Sequence, residues 1–334
     1  MDHKQLIKDI EAKKFQPIYL LHGEEPYYVD LISNVLQEHA LEEHERDFNQ
    51  TIVYGLDANI LDLLSDLKGY PMMAERKLVI IKEAQKIKEK DFELLTPYFE
   101  NPVATTVFVL CYKYGNFDAR KKIFKDASKN GIVFKSEKLK DYQLVTWIET
   151  YIKSLGYGVT QKASLLLADS LGNDLGRIAS ELGKLAIVVE KGTTINDIHI
   201  EENIGISKDY NVFELKNAVG ARDRAKAFKI IHYFEQNPKA GPLVVVISNL
   251  YVLFNQIMRI QFMPNKSADA VTQALKLHPY VAKEMINTAR NFTPQKAAAN
   301  IAYLHQYDLK SKGLGNASES DTELMKELIY KMIV

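Results

Sequence analysis

Pro17-Ile18-Tyr19-Leu20-Leu21-His22-Gly23-Glu24-Glu25-Pro26-Tyr27-Tyr28-Val29-Asp30 is the stretch on which the fold turns. A short apolar run ends in a glycine, and Val29, Ile32, Val35 and Leu36 then recur at helical spacing. Such a run, stopped by a turn residue, reads as a buried strand, and the 3.6-residue period behind it reads as a helix packed upon it. The alternation repeats downstream. Thr51-Ile52-Val53-Tyr54, Lys77-Leu78-Val79-Ile80-Ile81, Thr105 to Cys111 and Ile132-Val133-Phe134 are further strand-like runs separated by helical patterns. Strands alternating with helices predict a parallel sheet covered on both faces, so residues 1–140 are expected to form an α/β domain.

Beyond about residue 140 the strand signal is expected to disappear. Leu144, Val145, Ile148, Tyr151, Ile152 and Leu155 form one helical stripe, and Gly156 stands where a helix commonly ends in a left-handed residue. Thr160 can cap the next helix, which runs towards Leu171 and Gly172. Asn173 or Asp174 can cap a third, carrying Leu175, Ile178, Leu182 and Leu185. This predicts a small helical domain over 141–209. A second all-helical domain, 210–334, is punctuated by Pro238, Pro242, Pro264, Pro279 and Pro294. The class expected is α/β plus all-α.

A strand, a glycine turn and a helix are also the setting of the phosphate-binding loop G-x-x-x-x-G-K-[ST]. Only Gly23 fits that pattern. Tyr28 replaces the second glycine, Val29 the phosphate lysine and Asp30 the magnesium-binding hydroxyl. Pro26 removes a loop N–H, and Glu24 and Glu25 would repel a polyphosphate. In ATPases of this architecture the third strand ends in acids that hold magnesium. Here Lys82 stands in that place, and Glu83 reads as a solvated helix-start residue rather than a base. A generic α/β domain that never carried a phosphate loop would look the same.

Several segments, in order, resemble the delta subunit of the bacterial DNA polymerase III clamp loader. They are Pro17 to Tyr27; Gly172-Asn173-Asp174-Leu175 with Ile178, Glu181-Leu182 and Lys184-Leu185; and Asp308-Leu309-Lys310-Ser311-Lys312-Gly313 with Glu323-Leu324 and Glu327-Leu328. The resemblance implies a degenerate AAA+ module with a RecA-like parallel sheet, a helical lid and a C-terminal helical collar for oligomerisation. It implies a subunit that binds and opens the ring-shaped sliding clamp (the beta subunit) and catalyses nothing itself. Its partners would be that clamp, the loader ATPase, the delta-prime subunit and, in the assembled complex, DNA. The family's clamp-binding element lies on the apolar loop before the third strand, here Gly69-Tyr70-Pro71-Met72-Met73-Ala74-Glu75-Arg76. By position, Met72 and Met73 would enter the clamp, with Tyr70 and Pro71 beside them. Leucine and phenylalanine are common at this pair in other members. Without the resemblance Met72 and Met73 read as core; methionine, unbranched and polarisable, suits either place.

Composition narrows the rivals. Lys+Arg and Asp+Glu are both 43, so any contact with nucleic acid has to come from a local patch rather than from net charge. Lys82, Lys86, Lys88 and Lys90 cluster, as do Arg120, Lys121, Lys122 and Lys125, and both clusters read as solvated faces, the second bracketed by Asp118 and Asp126. Cys111 is the one cysteine and reads as a small core residue. A single cysteine excludes a disulfide framework, a cysteine zinc site and the zinc module and Ser-Arg-Cys finger of sister loader subunits. The eight histidines are scattered, and His39 and His44 among acids read as a solvated helix face, so no cofactor or metal is expected. Met1-Asp2-His3-Lys4 begins no signal peptide, and Leu243 to Phe254, broken by Ser248 and Asn249, is read as too short for a bilayer. A cytoplasmic, replisome-associated protein without membrane contact is therefore expected. Rival readings are an active ATPase or nucleotide kinase, which lacks its phosphate lysine; a sister loader subunit; and an unrelated DNA-binding AAA+-like adaptor.

Overall fold

The computed structural model describes residues 2–315 and 318–333. The chain divides into two compact units, one ending at Leu139 and one beginning at Lys140. The first contains α1 (His3–Glu11), β1 (Ile18–Gly23), α2 (Pro26–His39), α3 (Arg46–Asn49), β2 (Gln50–Tyr54), α4 (Ile60–Lys68), β3 (Lys77–Lys82), α5 (Glu89–Glu100), β4 (Thr106–Lys113), α6 (Lys122–Asn130) and β5 (Ile132–Ser136). All five strands are parallel, in the order β2-β3-β4-β1-β5. Leu20 faces Leu110 on one side and Val133 on the other, so β1 is an interior strand between β4 and the edge strand β5. Every residue of β1 is buried, as a strand covered on both faces requires. Ile18, Leu20, Val79, Ile81, Phe108 and Leu110 pack with Leu63 and Leu67 of α4, Phe92, Leu95 and Phe99 of α5 and Ile123 of α6. The alternate residues, Tyr19 and Leu21 among them, point the other way, where α2 packs on β1, β4 and β5 and α1 packs on α2. Each fully buried leucine or isoleucine contributes on the order of 1.5–3 kcal/mol.

The second unit runs α7 (Asp141–Ser154), β6 (Gly158–Val159), α8 (Gln161–Leu171), α9 (Leu175–Val188), β7 (Thr194–Ile195), α10 (Asp197–Ile204), α11 (Val212–Ala221), α12 (Arg224–Gln236), α13 (Leu243–Phe262), α14 (Ala268–Leu275), α15 (Pro279–Ala289), α16 (Pro294–Ser311) and α17 (Asp321–Ile333). Helix termini follow the side chains that can cap them. Thr160 accepts a bond from the Ala163 N–H, and Asp174, rather than Asn173, accepts from the Arg177 N–H at 2.9 Å. Gly156 follows α7 at φ +88°, the left-handed turn that ends it.

Strands do not vanish after residue 140. β6 and β7 form a two-stranded parallel ladder, Gly158 opposite Thr194 and Val159 opposite Ile195. Two-residue strands carry too few side chains for a period of two to show. Gly158 leaves room there for the Thr194 side chain, whose Oγ1 would stand 2.8 Å from a Cβ at that position. Nor does the apolar segment stop at Phe254. α13 continues to Phe262, and Pro238–Phe262 is long and apolar enough to cross a membrane by length and composition alone. Ser248 and Asn249 do not interrupt it, because their side chains bond the carbonyls of Val244 and Val245 one turn back. Leu243, Val246, Leu250, Phe254, Ile257 and Ile260 are buried against α11, α15, α16 and α17, the packing of a core helix.

Candidate functional site

The turn between β1 and α2 holds the phosphate-loop-like sequence, and its space is taken up by the protein's own groups. Gly23 has φ +141°, and a Cβ there would fall 1.9 Å from the Ser136 carbonyl oxygen, so close strand packing already requires a glycine. Glu25 is buried at the N-cap of α2, where its carboxylate accepts from the Tyr27 N–H at 3.0 Å. A helix N-terminus ordinarily offers its N–H groups to an anion; here the anion is internal. Pro26 takes the first helical position, where a missing N–H costs nothing. Tyr28 lies against the rings of His3 and Tyr27, and Val29 is fully buried in the α2 interface. The place of the phosphate lysine is thus a packing position.

The cation comes from elsewhere. Lys113, at the end of β4, reaches Asp30 Oδ1 at 3.0 Å and Glu83 Oε1 at 2.5 Å. Gln85 accepts from the Lys113 N–H at 3.0 Å and also bonds Glu83. Glu83 is therefore not a solvated helix-start residue: it precedes a short 3-10 turn, but its carboxylate is ion-paired. Burial works to raise the Glu83 carboxyl, and the Lys113 ammonium outweighs it, holding the group below its ordinary range. Burial likewise works to lower Lys113, and its two carboxylates outweigh it in the other direction. One ammonium between two carboxylates leaves the triad with a net negative charge, which disfavours a polyphosphate.

Cys111 is buried and its thiol pushed up to about 12 by that burial, as for a core residue. Of the second basic cluster, Arg120 pairs with Asp118, whose carboxyl its hydrogen bonds hold down at about 2, and Lys121 and Lys122 pair with Glu89 and Glu100.

The loop from Gly69 to Arg76 lies at the opposite end of the same sheet, between α4 and β3. Its two ends are tied. Lys77 bonds the Asp66 carboxylate and, at 3.2 Å, the Asp66 carbonyl, while Arg76 lies 4.7 Å from the centre of the Phe15 ring. Between these ties the side chains face water: Tyr70 is 85% exposed, Met72 60% and Met73 completely, with Pro71 half-buried. Met72 and Met73 are thus not core, which is where they would belong on hydropathy alone. An apolar pair held out at the tip of an anchored loop can enter a groove on another molecule. Met72 is held by Asn49, a residue that reading along the chain does not single out, because 23 positions separate the two. Arg46-Asp47-Phe48-Asn49 carries no motif, and the pairing exists only once β2 lies beside β3.

A profile of the DNA polymerase III delta subunit matches residues 19–137, and one of that subunit's C-terminal domain matches residues 209–330. The DNA polymerase III subunit delta of Bacillus subtilis (strain 168) is 25% identical over 339 residues, covering 98% of this chain and 95% of that protein. The solved structure of the Bacillus subtilis DNA clamp loader delta protein has a TM-score of 0.57 to this one at 20% identity, covering 99% of each chain. At that identity the structural likeness speaks for the fold.

Proposed function

The chain belongs to the DNA polymerase III delta-subunit family, a non-catalytic accessory subunit with a clamp-loader role, and on that premise we propose that it grips and opens the sliding clamp through Tyr70, Pro71, Met72 and Met73. The observation that carries this reading is the exposure of both methionines at the tip of a loop whose two ends are tied. A monomeric surface does not gain by presenting such side chains to water, whereas a few apolar anchors can carry most of an interface.

The phosphate loop is read as degenerate, with Glu25 serving as the helix anion and Lys113 as the cation, so the subunit works without nucleotide of its own. Residues 141–209 act as the lid and 210–334 as the collar that joins the loader ATPase and the delta-prime subunit. DNA is met within the assembled complex, and the cytoplasmic subunit acts at the replisome.

The test is the double substitution Met72→Ala/Met73→Ala against the sliding clamp of the same organism. Each truncation at an anchor costs on the order of 1–3 kcal/mol, so affinity falls roughly a hundredfold or more, at about 1.4 kcal/mol per factor of ten. The melting temperature stays unchanged. A large fall in melting temperature with affinity retained in the folded fraction would sink the reading.

A further inference from the structure

We infer that Asn49 is the positioning residue of the clamp-binding loop: one buried amide grips the Met72 backbone on both sides and so presents the Met72–Met73 pair. The inference rests on the proposed function of that loop. Met72 N–H donates to Asn49 Oδ1 at 2.7 Å, and Asn49 Nδ2 donates to the Met72 carbonyl at 2.9 Å. The second amide hydrogen goes to the Glu45 carbonyl at 3.0 Å, the turn that begins α3. Asn49 itself has no exposed surface. A buried amide whose three bonds are all made, two of them to one residue, is a rigid clamp, because breaking either bond strands a buried polar group.

Three features make this more than loop packing. The grip is on backbone, so it leaves the Met72 side chain free to point outward, and that side chain is exposed. Met73, next in the chain, holds φ +50°, a left-handed conformation that an unbranched L residue adopts only where its surroundings impose it. The clamp on Met72 fixes one side of that residue, and the tie of Arg76 to Phe15 and of Lys77 to Asp66 fixes the other. Finally, Asn49 is the last residue of α3, immediately before β2, and β2 is in register with β3 from Gln50 opposite Leu78. The clamp is therefore carried by the strand beside the one the loop enters, so the tip inherits the rigidity of the sheet edge. A loop ordered before it meets its partner loses less entropy on binding.

Two variants test this in the full chain, Asn49→Ala and Asn49→Asp. The second keeps the shape and an acceptor for the Met72 N–H but loses both donors. Three readouts are taken: hydrogen exchange at the Met72 amide, affinity for the sliding clamp, and melting temperature. Asn49→Ala is expected to speed exchange at Met72 at least tenfold and to weaken clamp binding roughly tenfold. Asn49→Asp keeps an acceptor for the Met72 N–H but sets a buried carboxylate oxygen against the Met72 and Glu45 carbonyls, so it is expected to lose at least as much protection and affinity as Asn49→Ala. Placed in the Met72→Ala/Met73→Ala background, and read at high clamp concentration, Asn49→Ala should cost much less affinity than in the wild-type chain, because the pair it presents is gone. Unchanged exchange at Met72 overturns the inference, as does an equal affinity loss in both backgrounds, which is what a merely structural role gives. If neither variant folds, exchange at the Met72 amide of the wild-type chain decides: protection well above that of the Met73 and Ala74 amides supports the grip, and exchange as fast as theirs overturns it. The exchange measurement needs no clamp. A wild-type chain that fails to bind the clamp would end the proposed function, and the Met72 exchange would still decide the grip.

Discussion

The two ends of the parallel sheet carry opposite solutions to the same problem, which is what to do with exposed backbone and side chains where strands stop. At the carboxyl ends, where α/β proteins ordinarily bind ligands, the turn after β1 is filled from within. Glu25 meets the helix N-terminus, Lys113 is shared by Asp30 and Glu83, and Val29 packs inward. At the amino ends, the loop before β3 keeps its polar groups tied and sends its apolar ones into water. A site that satisfies itself cannot be driven by a ligand, and one that leaves apolar surface uncovered is ready for a partner. The difference teaches that exposed apolar side chains are held at the amino ends of the sheet, while the turn after β1 at the carboxyl ends keeps its charges and apolar groups to itself.

The comparison breaks most visibly in the loop. Removing both methionine side chains there is expected to move clamp affinity by two powers of ten or more and stability by almost nothing. At the other end the expectation reverses. Lys113→Met leaves Asp30 and Glu83 facing each other without their cation, and breaking such a partly buried pair costs about 2 kcal/mol of stability, less than a fully buried one because Asp30 keeps part of its water. Thermal denaturation should register the loss, while clamp affinity in the folded fraction stays at the wild-type value. A parallel loss of clamp affinity would mean the two ends are coupled.

A smaller effect sharpens the same contrast through pH. The folded-state Glu83 carboxyl lies below its ordinary range, so its pairing with Lys113 stabilises the protein fully above that range and the contribution fades as pH falls through the depressed value. The stability gap between wild type and Lys113→Met should therefore be widest near neutral pH and narrow in acid. A gap that stays constant from neutral to strongly acidic conditions would show that the ion triad is not its source. The smallest expected effect is none at all. Millimolar Mg-ATP should leave the melting temperature unmoved and give no heat in titration calorimetry, since a ligand that binds only the folded state must raise its stability. Micromolar binding, or phosphate release from the isolated chain, would reopen the carboxyl end as a working site.

Much of this was legible along the chain. The five strands of the first unit lie within a few residues of where apolar runs bounded by glycine and polar residues put them. The caps at Thr160 and Asp174 are local chemistry, readable from a hydroxyl or carboxylate just ahead of an apolar period. The ladder of β6 and β7 was hidden, because two residues show no period and their partners lie 36 positions apart (Gly158 to Thr194). The ion triad was hidden for a similar reason. Asp30 comes from the start of α2, Glu83 from just after β3 and Lys113 from the end of β4, and no local pattern links the three.

The sequence by itself determined that this chain alternates strands and helices to about residue 140, that the turn after the first strand lacks the second glycine, lysine and hydroxyl of a phosphate loop, and that an apolar pair precedes the third strand. Those are properties of neighbours, where period, turn chemistry and residue type act within a few positions. Only the tertiary structure decided that Met72 and Met73 face water rather than the core, that Lys113 closes the carboxyl end, and that Asn49 holds the loop. Each of these depends on which strands lie side by side, and the order β2-β3-β4-β1-β5 brings together residues separated by 23 to 83 positions. Hydropathy cannot distinguish a buried methionine from an exposed one, because the same side chain is suited to a core and to an interface, and only its surroundings determine which it meets.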